Sequence, residues 1–118
     1  MKNYPTQIAN FAITYRCNSR CQNCNIWHKE PENELTLTEI IKFFTVNRDF
    51  LKKVASVQLT GGEPFLREDL PQIAATITKN IPGCMIWIPT NGLDPERIKD
   101  QVLKLLNGGC KTRGICFA

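Results

Sequence analysis

Apolar positions recur along this chain with two different periods, and the alternation between them outlines a fold. From Ile8 to Tyr15 the run Ile-Ala-Asn-Phe-Ala-Ile-Thr-Tyr is short and rich in β-branched and aromatic residues, which predicts a strand leading straight into Arg16-Cys17. Val54 to Thr60 and Met85 to Pro89 are two further short apolar runs, ended by Gly61-Gly62 and by Thr90-Asn91-Gly92. Between the runs the period lengthens. Leu37, Ile40, Ile41 and Phe44 recur at helical spacing behind Thr36 and Glu39, a capping box in which the hydroxyl and the carboxylate each satisfy an end-of-helix N–H. Leu70, Ile73, Ala74 and Ile77 form a second stripe, with Asp69 as N-cap and Pro71 tolerated in the first turn. Ile98, Val102, Leu105 and Leu106 form a third, opened by Asp94-Pro95 and closed by Gly108-Gly109. Gly114 to Ala118 reads as the start of a fourth strand.

The order is therefore βαβαβαβ, with helices long enough to serve as right-handed crossovers, so the expected class is α/β with a parallel, helix-covered sheet. The chain stops inside the fourth strand, and a barrel cut at that point would be an open arc. Residues 1–118 are thus expected to be one unit, the N-terminal portion of a longer domain.

Composition changes this picture little. Hydrophobic residues at 42% and charged residues at 22% suit a globular chain with a core, and exclude a disordered one. The residues around Met1-Lys2-Asn3-Tyr4 lack the apolar stretch of a secretory signal, and no apolar run is long enough to span a bilayer; the expectation is a cytoplasmic protein without a membrane partner. The net charge of +4 comes from scattered Lys and Arg, with no basic stripe of the kind that would argue for nucleic acid.

The six cysteines change it a great deal, because three fall within eight residues. Cys84, Cys110 and Cys116 are dispersed and read as small buried apolar residues. Cys17, Cys21 and Cys24, spaced CxxxCxxC at the C-terminal end of the first strand, read as a three-thiolate metal site. Soft ligands of this kind suit iron–sulfur or zinc. A closed structural zinc site wants four ligands, whereas a four-iron cluster held by three leaves one iron open. Gly61-Gly62-Glu63-Pro64 stands at the end of the second strand, where two glycines allow close approach of main chain and Glu63 adds an anionic acceptor. Thr90-Asn91-Gly92 follows the third. Taken singly, each of these two is an ordinary turn. In a parallel α/β array, however, all strand C-termini share one rim, so the three motifs converge there.

With these residues in place, the sequence resembles the radical S-adenosylmethionine (SAM) family. Cys-Asn-Ser-Arg-Cys-Gln-Asn-Cys at 17–24 matches its CxxxCxxC motif, Gly61-Gly62-Glu63-Pro64 its GGEP motif, and Thr90-Asn91-Gly92 resembles a segment common after its third strand. The resemblance implies a partial TIM-type barrel, of which this chain supplies three βα units and the start of a fourth strand. It implies a 4Fe-4S cluster on Cys17, Cys21 and Cys24, with the amino and carboxylate groups of SAM on the open iron. Gly61, Gly62 and Glu63 would hold the methionine amino end of SAM, Asn23 would lie close to the adenine, and Pro64 and Asn91 would count among the SAM-binding residues. An electron donor to the cluster would start cleavage of SAM to methionine and a 5′-deoxyadenosyl radical, in an oxidoreductase or transferase-type reaction on an unknown substrate. Position 23 is usually a large apolar residue in the family, so Asn23 departs from its pattern. Later strands of the family's barrel have no counterpart here, and the expectation for the 118 residues alone is cluster binding without full turnover.

Two other readings of the cysteines stand beside this one. His28 could complete a Cys3His zinc site in a module that recognises a macromolecule, or Cys21-Gln22-Asn23-Cys24 could be a redox CxxC. The zinc module has no use for the GGEP turn, and the redox motif leaves Cys17 unexplained. Trp27 is expected to pack over the cysteine loop, and His28 to be a solvated loop residue.

Overall fold

The computed structural model describes residues 7–108 and the backbone of 115–117. Four parallel strands, β1 (Gln7–Thr14), β2 (Val54–Gly61), β3 (Met85–Ile88) and β4 (Ile115–Phe117), form one sheet in the order β1-β2-β3-β4. Helices α1 (Leu37–Val46), α2 (Arg48–Leu51), α3 (Leu70–Asn80) and α4 (Pro95–Asn107) supply the crossovers.

The register explains the apolar runs. Phe11 stands opposite Leu59, Ala9 opposite Val57, and Val57 opposite Ile86, so one face of the sheet is a continuous apolar surface. Ile13, Val57, Leu59, Ile86 and Ile88 pack there against Ile40 and Phe44 of α1, Leu70, Ile73 and Ile77 of α3, and Leu105 of α4. The alternate positions, Ile8, Asn10, Ala12, Ala55 and Trp87, are exposed on the other face. Among the described residues, helices thus cover one face only. A doubly wound sheet carries helices on both, whereas an arc of a βα barrel carries them outside. Burying each Ile or Leu of this core contributes about 1.5–3 kcal/mol.

Helix boundaries follow the caps. Thr36 and Glu39 form the full capping box, with Glu39 N–H donating to Thr36 Oγ1 (3.3 Å) and Thr36 N–H to Glu39 Oε2 (2.8 Å). Asp94 Oδ1 accepts the Arg97 N–H (3.1 Å) at the start of α4. Asp69 occupies the N-cap of α3 but makes no side-chain cap bond, because its carboxylate is taken by the Arg67 guanidinium at 2.6 and 3.1 Å. Sequence periodicity does not anticipate α2, a single turn added after Asn47 ends α1 by donating its side-chain and backbone N–H to the Phe43 carbonyl.

Two stripe assignments are corrected. Ile41 is 41% exposed and Leu106 39% exposed. Each directly follows the fully buried residue of its stripe, Ile40 or Leu105, and one residue along a helix is about 100° of rotation, enough to leave a narrow contact face. Gly109, Cys110 and the side chain of Cys116 lie outside the described residues. Cys84 is buried as expected, and that burial pushes its thiol pKa up.

Candidate cofactor site

The ends of β1, β2 and β3 meet at one rim, and the contacts there are made largely by main chain. Gly61, at φ 123°, continues β2 past Thr14; a Cβ on it would lie 2.0 Å from the Thr14 carbonyl oxygen. A Cβ on Gly62 would lie 2.0 Å from the Arg16 carbonyl oxygen. Without side chains, Gly62 N–H reaches Thr14 O and Glu63 N–H reaches Arg16 O, both at 2.8 Å. The glycine pair is thus required by the protein's own backbone: it seats the GGEP turn directly against the residues that lead into Cys17.

Glu63 is 3% exposed. Its Oε1 accepts the Phe65 N–H (3.1 Å), while Oε2 accepts the Thr90 hydroxyl (3.0 Å) and the Asn91 N–H (2.7 Å). The carboxylate therefore fastens the loop after β3 to the turn after β2. Pro64 is buried and opens a short 3-10 turn, Pro64–Leu66. Asn91 continues the connection: its side-chain N–H donates to Asn18 Oδ1 at 2.7 Å, and the same nitrogen lies 4.0 Å from Cys17 Sγ. Asn91 Oδ1 accepts the Leu93 N–H (3.0 Å), which fixes the amide's orientation.

The structure thus brings together Cys17, Asn18, Gly61, Gly62, Glu63 and Asn91. The remaining cysteines lie on the loop itself. Cys17 is half-buried, Cys21 and Cys24 are exposed, and all three are free thiols. Cys24 N–H closes a turn onto the Cys21 carbonyl (3.2 Å), and Ser19 Oγ lies 3.2 Å from Cys21 Sγ. Asn23 is exposed between them. Among the described residues no three His, Cys, Asp or Glu side chains are gathered into a ready metal cage. The donor set nevertheless fits a metal group with three soft ligands: three reachable thiols on one loop, whose entry is held by backbone contacts at Thr14 and Arg16.

Trp27 and His28 form a short 3-10 turn with Ile26 just beyond the loop. Their rings stack with centroids 3.5 Å apart, and the Arg20 guanidinium lies over Trp27 at 5.5 Å. Trp27 thereby packs on the cysteine loop through Arg20, as expected, and His28 is exposed.

Sequence reasoning missed the scaffold behind the rim. Arg67, with its side chain 11% exposed, donates to the carbonyls of Ile13 and Leu35 as well as to Asp69. Arg97 donates to the Phe65 and Leu66 carbonyls (2.8 and 3.2 Å) and to Glu68 (2.6 Å), and Gln101 donates to the Arg67 carbonyl (3.0 Å). Glu34 accepts from the end of β1.

Comparison with known proteins gives the site a context. The family model described as "Radical SAM superfamily" matches residues 11–115. A GTP 3′,8-cyclase of Aquifex aeolicus is 36% identical over 113 residues, covering 91% of this chain and 33% of that protein. A GTP 3′,8-cyclase of Sulfurimonas denitrificans is 34% identical over 106 residues, covering 81% and 32%. Molybdenum cofactor biosynthesis protein 1 of Homo sapiens is 35% identical over 98 residues, covering 79% and 15%. This chain spans about a third of the length of the cyclases it matches. Among solved structures, BtrN in complex with AdoMet and 2-DOIA superposes with a TM-score of 0.69 at 21% identity, covering 95% of this chain and 44% of BtrN. BtrN in an open conformation gives 0.72 at 16%, covering 98% and 56%. These superpositions establish the shared fold.

Proposed function

The chain belongs to the radical SAM superfamily, and we propose that it is the cluster- and SAM-binding end of a radical SAM enzyme. Cys17, Cys21 and Cys24 would hold a 4Fe-4S cluster. Gly61, Gly62, Glu63, Pro64 and Asn91 would border the methionine end of SAM, and Asn23 its adenine. When bound, cluster and SAM together supply a 5′-deoxyadenosyl radical for hydrogen abstraction.

One observation carries this reading: the three motifs form one connected unit. Gly62 and Glu63 bond to the backbone entering Cys17, Glu63 holds Asn91, and Asn91 reaches Asn18 and the Cys17 sulfur. A structural zinc loop would need none of these ties. The chain's own contribution is to orient. Gly61 and Gly62 leave main chain bare at the rim, and Asn91 presents an amide beside Cys17. The buried carboxylate of Glu63 keeps those two loops in register. Cys21 and Cys24, exposed on the turn of the loop, would close on the metal as it loads.

GTP is the first substrate to offer, because the relatives compared above are named GTP 3′,8-cyclases. A cyclase would use the same radical for ring closure, in place of the oxidoreductase or transferase-type outcome expected from the family resemblance alone. Positioning of a reacting pair contributes about 7–11 kcal/mol of a barrier in well-aligned cases. This chain spans about a third of those relatives' length, and we expect it to cleave SAM slowly and without coupling to GTP. The test is anaerobic loading with iron and sulfide, addition of dithionite and SAM with and without GTP, and measurement of 5′-deoxyadenosine. We expect at most about one product per loaded chain, unaffected by GTP. A fully loaded chain that neither alters SAM nor changes spectroscopically on its addition would contradict the proposal.

A further inference from the structure

The cysteine loop needs an anchor on its outer side, and the fold supplies one far away in sequence. β1 stands at the edge of the sheet, and its pairing with β2 ends at Thr14 opposite Gly61. Tyr15 N–H lies one residue past that ladder, and a backbone donor at such a place requires another acceptor. Glu34 provides it. Its Oε1 accepts the Tyr15 N–H at 2.6 Å and the Thr14 hydroxyl at 2.9 Å, and Thr14 Oγ1 in turn accepts the Arg16 N–H at 3.1 Å. A short bond from N–H to a carboxylate is of the stronger, charge-assisted kind.

Glu34 is itself held in place. Asn33 before it takes a left-handed φ of 63°, a conformation Asn tolerates better than most residues. Leu35 after it has its carbonyl held by Arg67 at 2.7 Å, and Thr36 then opens α1. Arg67 also donates to the Ile13 carbonyl. Residues 13, 14 and 15 are therefore gripped by a donor and an acceptor together. On their inner side the same segment meets Gly62 and Glu63. Only one residue separates this grip from Cys17.

We infer that Glu34, braced by Arg67, is a positioning residue for the cluster loop, acting through the Tyr15 and Thr14 backbone and hydroxyl on the placement of Cys17. The inference rests on the cluster reading proposed above. Glu34 and Arg67 line an open cleft of about 490 Å³ together with Thr14, Arg16 and Asp69. Truncating Glu34 thus enlarges an open surface cleft and leaves the apolar core intact, so the variant should fold.

The experiment compares wild type with Glu34→Ala, Glu34→Gln and Thr14→Val. Each is loaded with iron and sulfide, challenged with a chelator, and followed by the decay of cluster absorbance. The metal-free chains are compared by thermal unfolding and by hydrogen exchange at the Tyr15 amide. Losing a group bonded directly to a metal ligand typically weakens a site about 10- to 100-fold, and Glu34, which acts one step further out through Tyr15 and Thr14, falls at or below the lower end. Glu34→Ala should release iron up to about tenfold faster and expose the Tyr15 amide to exchange, with only a modest fall in the unfolding midpoint from the two lost bonds. Glu34→Gln, whose amide oxygen accepts the same bonds, should stay near wild type in both. Should Glu34→Ala fail to fold, Thr14→Val decides: it keeps the Tyr15 bond, so faster iron release with an unchanged Tyr15 amide is expected. Iron release equal to wild type in Glu34→Ala, or in Thr14→Val where that variant decides, overturns the inference, as does Glu34→Gln behaving like Glu34→Ala. If wild type itself takes up no cluster, the functional proposal fails separately, and Tyr15 exchange still tests the anchor.

Discussion

Glu63 Oε2 accepts the backbone N–H of Asn91 at 2.7 Å across 28 residues of sequence, and this bond joins the turn after β2 to the loop after β3. The carboxylate is buried and has three protein donors, so it functions first as a fastening inside the site.

Removing that carboxylate should therefore be costly before any cofactor is bound. Glu63→Ala removes the acceptor of the Thr90 hydroxyl and of the Asn91 N–H and one acceptor of the Phe65 N–H, and losing a partner at a buried or half-buried group costs about 1–3 kcal/mol. We expect a loss of about 3 kcal/mol in urea unfolding of the metal-free chain, with Glu63→Gln losing less. A Glu63→Ala variant as stable as wild type would mean that the three bonds are replaced by water at no cost.

The glycines should separate into two classes. At Gly61 and Gly62 an added methyl collides with backbone carbonyls of Thr14 and Arg16, which cannot rotate away. Gly61→Ala and Gly62→Ala should each destabilise by about 3 kcal/mol or more, as strained backbone substitutions do. At Gly92, φ is 71° but nothing lies within 4 Å, so Gly92→Ala should cost only the left-handed strain of about 1–2 kcal/mol. Unfolding midpoints of the three variants check the order.

The extent to which this was legible in the sequence depends on whether a residue's partner is near it in the chain. The Thr36–Glu39 box and the Asp94 cap lie within three residues of their partners, and both form. The strands were legible because their apolar faces repeat. Arg67, Glu34 and Gln101 carry no such signal: Arg67 binds the Ile13 carbonyl 54 residues away, and a carbonyl acceptor leaves no mark on residue identity. Asp69 stands at the N-cap of α3 as read, but its side-chain cap bond does not form, because Arg67 two residues before it takes the carboxylate. The glycine pair was recognisable as special, yet the surface it approaches, the backbone of Thr14 to Arg16, could only be seen once folded.

Acid should weaken the start of α1. Hydrogen bonds from the Thr36 backbone N–H and then its hydroxyl hold the Glu39 carboxyl below its ordinary value of 4.5. A carboxyl lowered in the folded state contributes stability that is complete above 4.5 and is lost as pH falls through the lowered folded value. The difference in stability between wild type and Glu39→Gln should therefore be constant near neutrality and shrink only below pH 4.5. Denaturant titrations at several pH values measure it; a difference unchanged down to strongly acid pH would contradict the box.

Whether Cys17, Cys21 and Cys24 alone hold the metal group is read most directly from iron, acid-labile sulfide and zinc content after anaerobic loading. Wild type, His28→Ala, Cys84→Ala, Cys110→Ala and Cys116→Ala should each carry about four irons and four sulfides per chain. Cys17→Ala, Cys21→Ala and Cys24→Ala should each carry almost none. One tightly held zinc per chain, retained in place of iron and lost in His28→Ala, would contradict the claim and establish a zinc site in its place.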